Sequence, residues 1–148
     1  MIKKLSLVLA VILVVSCNST EKKDTGVIYP KKESNNKIDP DLKASKDRGK
    51  LVYGDFCVTC HMANGKGVPK AFPPLADSDF LRNNQEESIK GIKNGMTGEI
   101  VVNGETYNSV MASLGLSDNE VADVMNYINN SWGNQIDNVV TADEVSKF

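Results

Sequence analysis

Apolar residues are distributed along this 148-residue chain in four patterns, and each predicts a different kind of structure. The first is unbroken. Behind Lys3 and Lys4, Leu5 to Val15 is apolar except for Ser6. About eleven residues cannot cross a bilayer core of roughly 30 Å as a helix, but they match the apolar part of an export signal. The second pattern is sparseness. From Asn18 to about Ala44 the chain is Ser, Thr, Asn, Lys, Asp and Glu with a few Pro, and its rare apolar residues follow no period. Such a stretch cannot bury a core and reads as a flexible tether with a root-mean-square reach of about 30 Å.

The third pattern has helical spacing. It begins at Ser45, where Leu51, Val52 and Phe56 offer an apolar face to a helix that runs into Cys57. It returns from Asn84 or Gln85 to Asn94, with Ile89 and Ile92 inward, Glu86 and Glu87 in the first turn and Gly95 at the stop. It is clearest after Ser117-Asp118-Asn119-Glu120, a capping box with Leu116 and Val121 placed as a hydrophobic staple. Val121, Val124, Met125 and Ile128 follow at helical spacing, and Gly133 marks the expected stop. Thr141 to Glu144 repeats the capping pattern and predicts a short terminal helix. The fourth pattern is a small hairpin over Ile100 to Tyr107, where β-branched residues flank an Asn103-Gly104 turn.

These patterns divide the chain into a signal over 1–16, a linker over 17–44 and one folded domain over 45–148. The signal ends in Val14-Val15-Ser16-Cys17, which resembles a bacterial lipobox. That resemblance implies cleavage before Cys17, diacylation of Cys17, and a mature protein exported and held at a membrane by its first residue, with the two acyl chains that stable anchoring requires. An ordinary secretory signal is the alternative. Composition narrows the rest. The domain has nine Lys and Arg against fourteen Asp and Glu, with no basic patch to suggest nucleic acid. Three cysteines are too few for a disulfide scaffold.

The chemistry concentrates in Cys57-Val58-Thr59-Cys60-His61, which contains the single histidine of the chain. A Cys-x-x-Cys-His run suits thiol–disulfide exchange, half of a zinc site, or covalent haem with the imidazole on iron. A structural zinc site needs four ligands, and the mature domain has no further Cys or His. Thioredoxin-like motifs sit in a βαβ setting, whereas this one ends a helix. Haem uses both thiols and the histidine, and the porphyrin would serve as a large apolar core element. Gly65 and Gly67 in the following loop superficially suggest a phosphate cradle, but no strand precedes them and no Lys-Ser/Thr follows. A sixth iron ligand would come from methionine. Met62 adjoins His61 and cannot reach the other haem face. Met125 lies on a core stripe, Met96 is possible, and Met111 in a loop-like stretch is the preferred candidate.

The segments "GKLVYGDFCVTCHMANGKG", "FPPLA", "NGETYNSVM" and "LSDNEVADVMNYINNSWGN", spread from about Gly49 to Val145, resemble a monohaem cytochrome c domain of the small, mostly helical type. The resemblance implies an all-α cytochrome c fold, with about three core helices around a covalent haem and a small β-hairpin before the distal Met. It implies one haem c bound through Cys57 and Cys60, with His61 and Met111 as the axial ligands. It also implies that the Pro73 carbonyl orients His61, that Leu75 packs on the haem, and that Gly49 admits Tyr127 where the first and last helices meet. The family usually has Pro after the distal Met; here Ala112 stands there, which would loosen the loop. Trp132 and Tyr107 are either borders of the haem propionates or ordinary boundary aromatics.

The function implied is that of a one-electron carrier rather than an enzyme, on the periplasmic side of a membrane. Its redox partner would be a terminal oxidase, a quinol-oxidising complex, or a periplasmic reductase or dehydrogenase. The alternatives are a haem enzyme or gas sensor with an open or labile sixth position, which Ala112 mildly favours, and an assembly subunit with an idle haem.

Overall fold

The computed structural model describes residues 42–148; the signal, Cys17 and the linker up to residue 41 lie outside the described residues. Helix α1 (Leu42–Phe56) begins three residues ahead of the expected start at Ser45. It is followed by a single turn, α2 (Val58–His61), then α3 (Asp79–Asn83) and α4 (Gln85–Asn94). The hairpin β1 (Ile100–Val102) and β2 (Glu105–Tyr107), helix α5 (Asp118–Asn129) and the short α6 (Ala142–Val145) complete the order. This is the mostly helical architecture the segment resemblance implies, with α1, α4 and α5 as its long helices. Among the described residues no helix is long and apolar enough to cross a membrane.

The buried stripe of α1 is Ser45, Gly49, Val52 and Tyr53, not the Leu51, Val52 and Phe56 face expected. Leu51 is 55% exposed. At about 100° per residue it falls outside the arc that Gly49 and Val52 define. The stripe contains a glycine and a serine because α1 crosses α5 there at close range. A Cβ built on Gly49 would lie 1.9 Å from the Asp123 carbonyl oxygen and 2.9 Å from Tyr127 Cβ. Glycine therefore admits the α5 backbone itself as well as the Tyr127 side chain.

Beside that crossing a polar network is buried. Arg48 donates from Nε and Nη2 to Asp123 at 2.6 and 2.7 Å, and Ser45 Oγ donates to Asp123 Oδ1 at 2.6 Å. Asn126 Nδ2 donates to Ser45 Oγ and to the Val140 carbonyl, and Val140 N–H donates back to Asn126 Oδ1. The network ties the segment before α6 to the helix pair. Every buried side-chain N and O among the described residues has a partner, so the polar interior avoids the 1–3 kcal/mol or so that an orphaned group costs.

The capping box of α5 forms as its sequence predicts. Ser117 Oγ accepts from Glu120 N–H, and Glu120 Oε2 accepts from Ser117 N–H. The staple residues Leu116 and Val121 are both buried, as is Met125. The helix ends at Asn129, earlier than the Gly133 stop expected. Side chains beyond it take its last carbonyls: Asn130 Nδ2 bonds Asn126, Ser131 Oγ bonds Tyr127, and Asn134 Nδ2 bonds Ile128. The turn at Trp132 (φ +50°) and Gly133 (φ +90°) follows that closure.

Helix α4 has the predicted limits and buries Ile89 and Ile92. The hairpin pairs Ile100 with Tyr107, Val101 with Thr106 and Val102 with Glu105. Positive φ at both Asn103 and Gly104 identifies the turn that matches strand twist. Helix α3 was not expected. Five residues are too few to show a period, and its local signal is only the cap, Ser78 Oγ accepting from Leu81 N–H. Asp79 then holds the hairpin tip through reciprocal bonds with Asn103.

Candidate functional site

Helix α1 breaks at Cys57, and the single turn α2 presents Cys60 and His61 directly after it. The turn is closed by Cys60 N–H and His61 N–H, both donating to the Cys57 carbonyl, at 3.2 and 2.9 Å. Three rings, Tyr53 buried and Tyr127 and Trp132 partly buried, stand behind this turn. Tyr53, Tyr127 and Trp132 have centroids 4.9 to 5.5 Å apart. Tyr53 Oη donates to the Met62 carbonyl at 2.7 Å, so the cluster grips the chain immediately after His61. Burial raises the Tyr53 phenol well above its ordinary value, helped by the neighbouring Cys57 and Tyr127.

The two glycines of the following loop bring other groups to the histidine. A Cβ on Gly65 would lie 2.6 Å from the Trp132 ring, so its absence seats the indole. A Cβ on Gly67 would lie 2.2 Å from the Phe72 carbonyl oxygen and 2.6 Å from that of Pro73. With Gly67 at φ +61°, the loop folds back and delivers the Pro73 carbonyl to His61 Nδ1 at 2.9 Å. These glycines are therefore packing and turn positions, as the rejection of a phosphate cradle required. Their role could have been suspected from a Gly-x-Gly placed just after the histidine, but no local signal named the residue each would meet.

The bond to Pro73 occupies Nδ1 and leaves Nε2 for a ligand. Burial lowers the His61 pKa, opposed by the Pro73 bond. Burial outweighs that bond and favours the neutral imidazole, while the Pro73 carbonyl orients the ring, as a metal-binding histidine requires. Burial also pushes the Cys57 thiol up to about 11, with the adjacent Cys60 contributing. Reactive exchange cysteines have lowered values, so buried Cys57 is not poised as an exchange nucleophile. Among the described residues no three His, Cys, Asp or Glu side chains converge, which leaves zinc without a ligand set.

Cys57, Cys60, His61, Pro73 and Met111 all line one cleft of about 330 Å³. It adjoins a narrower cavity of about 80 Å³ lined by Cys57, His61, Pro73, Leu75 and Met111 among others. The six domain residues expected at the site are thus brought together. The walls include Phe72, Phe80, Ile92, Ile100, Val102 and Leu114, which the sequence reading did not assign to the site. Tyr107 lines the cleft, whereas Trp132 belongs to the ring cluster behind the motif. Met96 and Met111 both line the cleft, and their backbones pair: Met96 N–H donates to the Met111 carbonyl at 2.7 Å, and Met111 N–H donates back at 2.9 Å. Met125 is fully buried in the core and Met62 lies at the surface. Apolar walls, two thiols and a neutral oriented imidazole in one cleft fit a covalently attached haem.

The sequence model of the cytochrome c family matches residues 46–132. The chain belongs to the cytochrome c family. It is 39% identical over 97 residues to cytochrome c-552 of Thermus thermophilus, covering 62% of this chain and 65% of that protein. It is 34% identical over 104 residues to the cytochrome c subunit of the quinone alcohol dehydrogenase of Gluconobacter oxydans, covering 68% of this chain and 21% of that subunit. To the FixP subunit of the cbb3-type cytochrome c oxidase of Bradyrhizobium diazoefficiens it is 32% identical over 100 residues, covering 64% of this chain and 33% of that subunit. The chain therefore spans less than two thirds of these relatives' own length. As a cytochrome c domain it has an electron-transfer function, and its family implies covalently attached haem c.

Proposed function

We propose that this cytochrome c is a one-electron carrier of an extracytoplasmic redox chain, with a single haem c attached through Cys57 and Cys60. The observation that carries the reading is the His61–Pro73 bond, which leaves Nε2 for iron inside a cleft that both cysteines and Met111 line. Bound haem would supply the ferrous/ferric couple. The chain's own residues do the rest. Pro73 orients the imidazole and raises its basicity. Met111 offers the second axial ligand, the thioether opposite an imidazole that characterises electron-transfer sites and raises the potential. The apolar walls exclude water, and Leu75 packs on the porphyrin.

Anchoring through Cys17 and the polar linker would keep the domain near a membrane partner on the periplasmic side. The names of the relatives include subunits of a dehydrogenase and an oxidase, which supports partners of those classes. A quinol-oxidising complex or a reductase remains an equal expectation from sequence.

The deciding experiment is the absorption spectrum of protein matured with its haem, for wild type and Met111→Ala. A low-spin covalent spectrum whose ferric sulfur-to-iron band vanishes in the variant is expected. A variant indistinguishable from wild type would refute Met111 ligation. For the anchor, Cys17→Ala should move the protein from the membrane fraction to the soluble one, and retention in the membrane would sink that part of the reading.

A further inference from the structure

We propose that Gly95 and Met96 are positioning residues for Met111, so that the distal thioether is set from the end of α4 rather than by its own loop. The inference rests on the reading of Met111 as the distal ligand. Residues 108–116 contain no helix or named strand. Their backbone is held by the reciprocal Met96–Met111 pair, by Ser109 Oγ donating to the Ala71 carbonyl, and by Ser113 Oγ donating to the Lys93 carbonyl at 2.9 Å. Two of these three ties come from the segment 93–96. Ala112 has no ring to restrict the backbone beside the ligand.

Gly95 makes this approach possible. It closes α4, its N–H donating to the Gly91 carbonyl, and then turns the chain at φ +85°, ψ 168°, a conformation essentially confined to glycine. A Cβ there would lie 2.8 Å from the Met111 carbonyl oxygen and 2.8 Å from Ser113 N. The 111–113 backbone is therefore seated directly on the glycine. Met96 acts through its main chain. Its own thioether is turned onto α4, where a Cβ on Gly91 would lie 2.8 Å from Met96 Cε. Anchored there, Met96 presents N–H and C=O to Met111 in fixed register. Met96 and Met111 both line the cleft, and with the Met96 thioether packed on Gly91 the Met111 thioether is the one left for the iron.

The test uses haem-loaded ferric protein and imidazole as a competing distal ligand, read by absorption titration. Its apparent affinity scales with the fraction of molecules whose sixth position is open. Gly95→Ala should bind imidazole about tenfold more tightly than wild type. Gly104→Ala should stay within about twofold; it has a comparable positive φ of +81° and nothing within 4 Å. Met96→Leu keeps the backbone pair and should retain the sulfur-to-iron band. Equal responses of the Gly95 and Gly104 variants would overturn the proposal, as would loss of the band in Met96→Leu. An unchanged spectrum in Met111→Ala would sink the ligand reading, and this proposal with it. A lost band there, together with an inert Gly95→Ala, would sink the positioning role alone. If Gly95→Ala does not accumulate with haem, amide exchange of the wild type decides. The Met96 and Met111 amides should be protected together, about tenfold above Val110 and Ala112; a Met111 amide exchanging as fast as its neighbours overturns the inference.

Discussion

The two walls of the cleft are built by opposite means. The His61 wall is a helix end backed by tertiary packing: α1 crosses α5 at Gly49, three aromatic rings fill the space behind the motif, and an ion pair from part-exposed Arg48 to the buried Asp123 carboxylate locks the crossing. The Met111 wall is irregular chain, tied to α4 and to the Pro-rich loop by a few hydrogen bonds. The first wall is stabilised by the core, so disturbing it should unfold the protein. The second is stabilised locally, so disturbing it should open the ligand position and leave the fold standing. This division would suit the proposed ligation, in which the imidazole is held fixed and the thioether tunes the potential.

The strongest way to break this contrast is at the helix crossing. Gly49→Ala places a methyl group on the α5 backbone. It should cost about 3 kcal/mol even after the helix propensity gained, as thermal melts of haem-loaded protein would report. A loss below about 1 kcal/mol would mean the helices part easily and the first wall is softer than its packing implies. Gly67→Ala comes next. It strains a left-handed residue and pushes the Pro73 carbonyl off His61, and about 2 kcal/mol should be lost. A less basic imidazole stabilises ferric iron less, so the reduction potential should rise; potentiometry that finds no rise would detach Pro73 from the tuning of the iron.

Tyr53→Phe sharpens the comparison. Losing the bond to the Met62 carbonyl should cost about 1 kcal/mol. It should also change the alkaline limb. Burial raises the Tyr53 phenol above its ordinary value, so the folded protein keeps a proton that the unfolded chain releases near pH 10. This contribution is whole below about pH 10 and is lost as pH climbs above it. Melts of Tyr53→Phe should therefore fall less steeply than those of wild type above that pH, and parallel curves would exclude the phenol. The smallest effect belongs to the Met111 wall. Ser113→Ala removes one exposed hydrogen bond and should cost about 0.5 kcal/mol, while imidazole affinity rises measurably. A melt lowered as much as by Gly67→Ala would erase the distinction between the walls.

Much of this was legible in the sequence, and the unread parts share a cause. The Ser117–Glu120 capping box, the Asn-Gly turn and the Gly95 stop are signals between nearby residues, and they formed as expected, while Thr141 supplies only half of the second box. Helix α3 escaped because one cap is too little signal. Leu51 was misassigned because an apolar residue on a helix says nothing of which arc another helix will cover, and here the covered arc contains Ser45 and Gly49. The stop of α5 was misjudged because Asn130 and Ser131, ahead of Gly133, and Asn134 just behind it take its last carbonyls with their side chains.

By itself the sequence determined the long helices α4 and α5, the hairpin and the gathering of two cysteines and the only histidine at Cys57, Cys60 and His61, because those depend on bonded neighbours and on side-chain type. Only the tertiary structure decided that Gly67 delivers the Pro73 carbonyl to His61, that Gly65 seats Trp132, and that Met96 pairs with Met111 across fifteen residues. Those contacts join segments whose separation along the chain encodes no distance. Their geometry exists only once the core has brought the segments together.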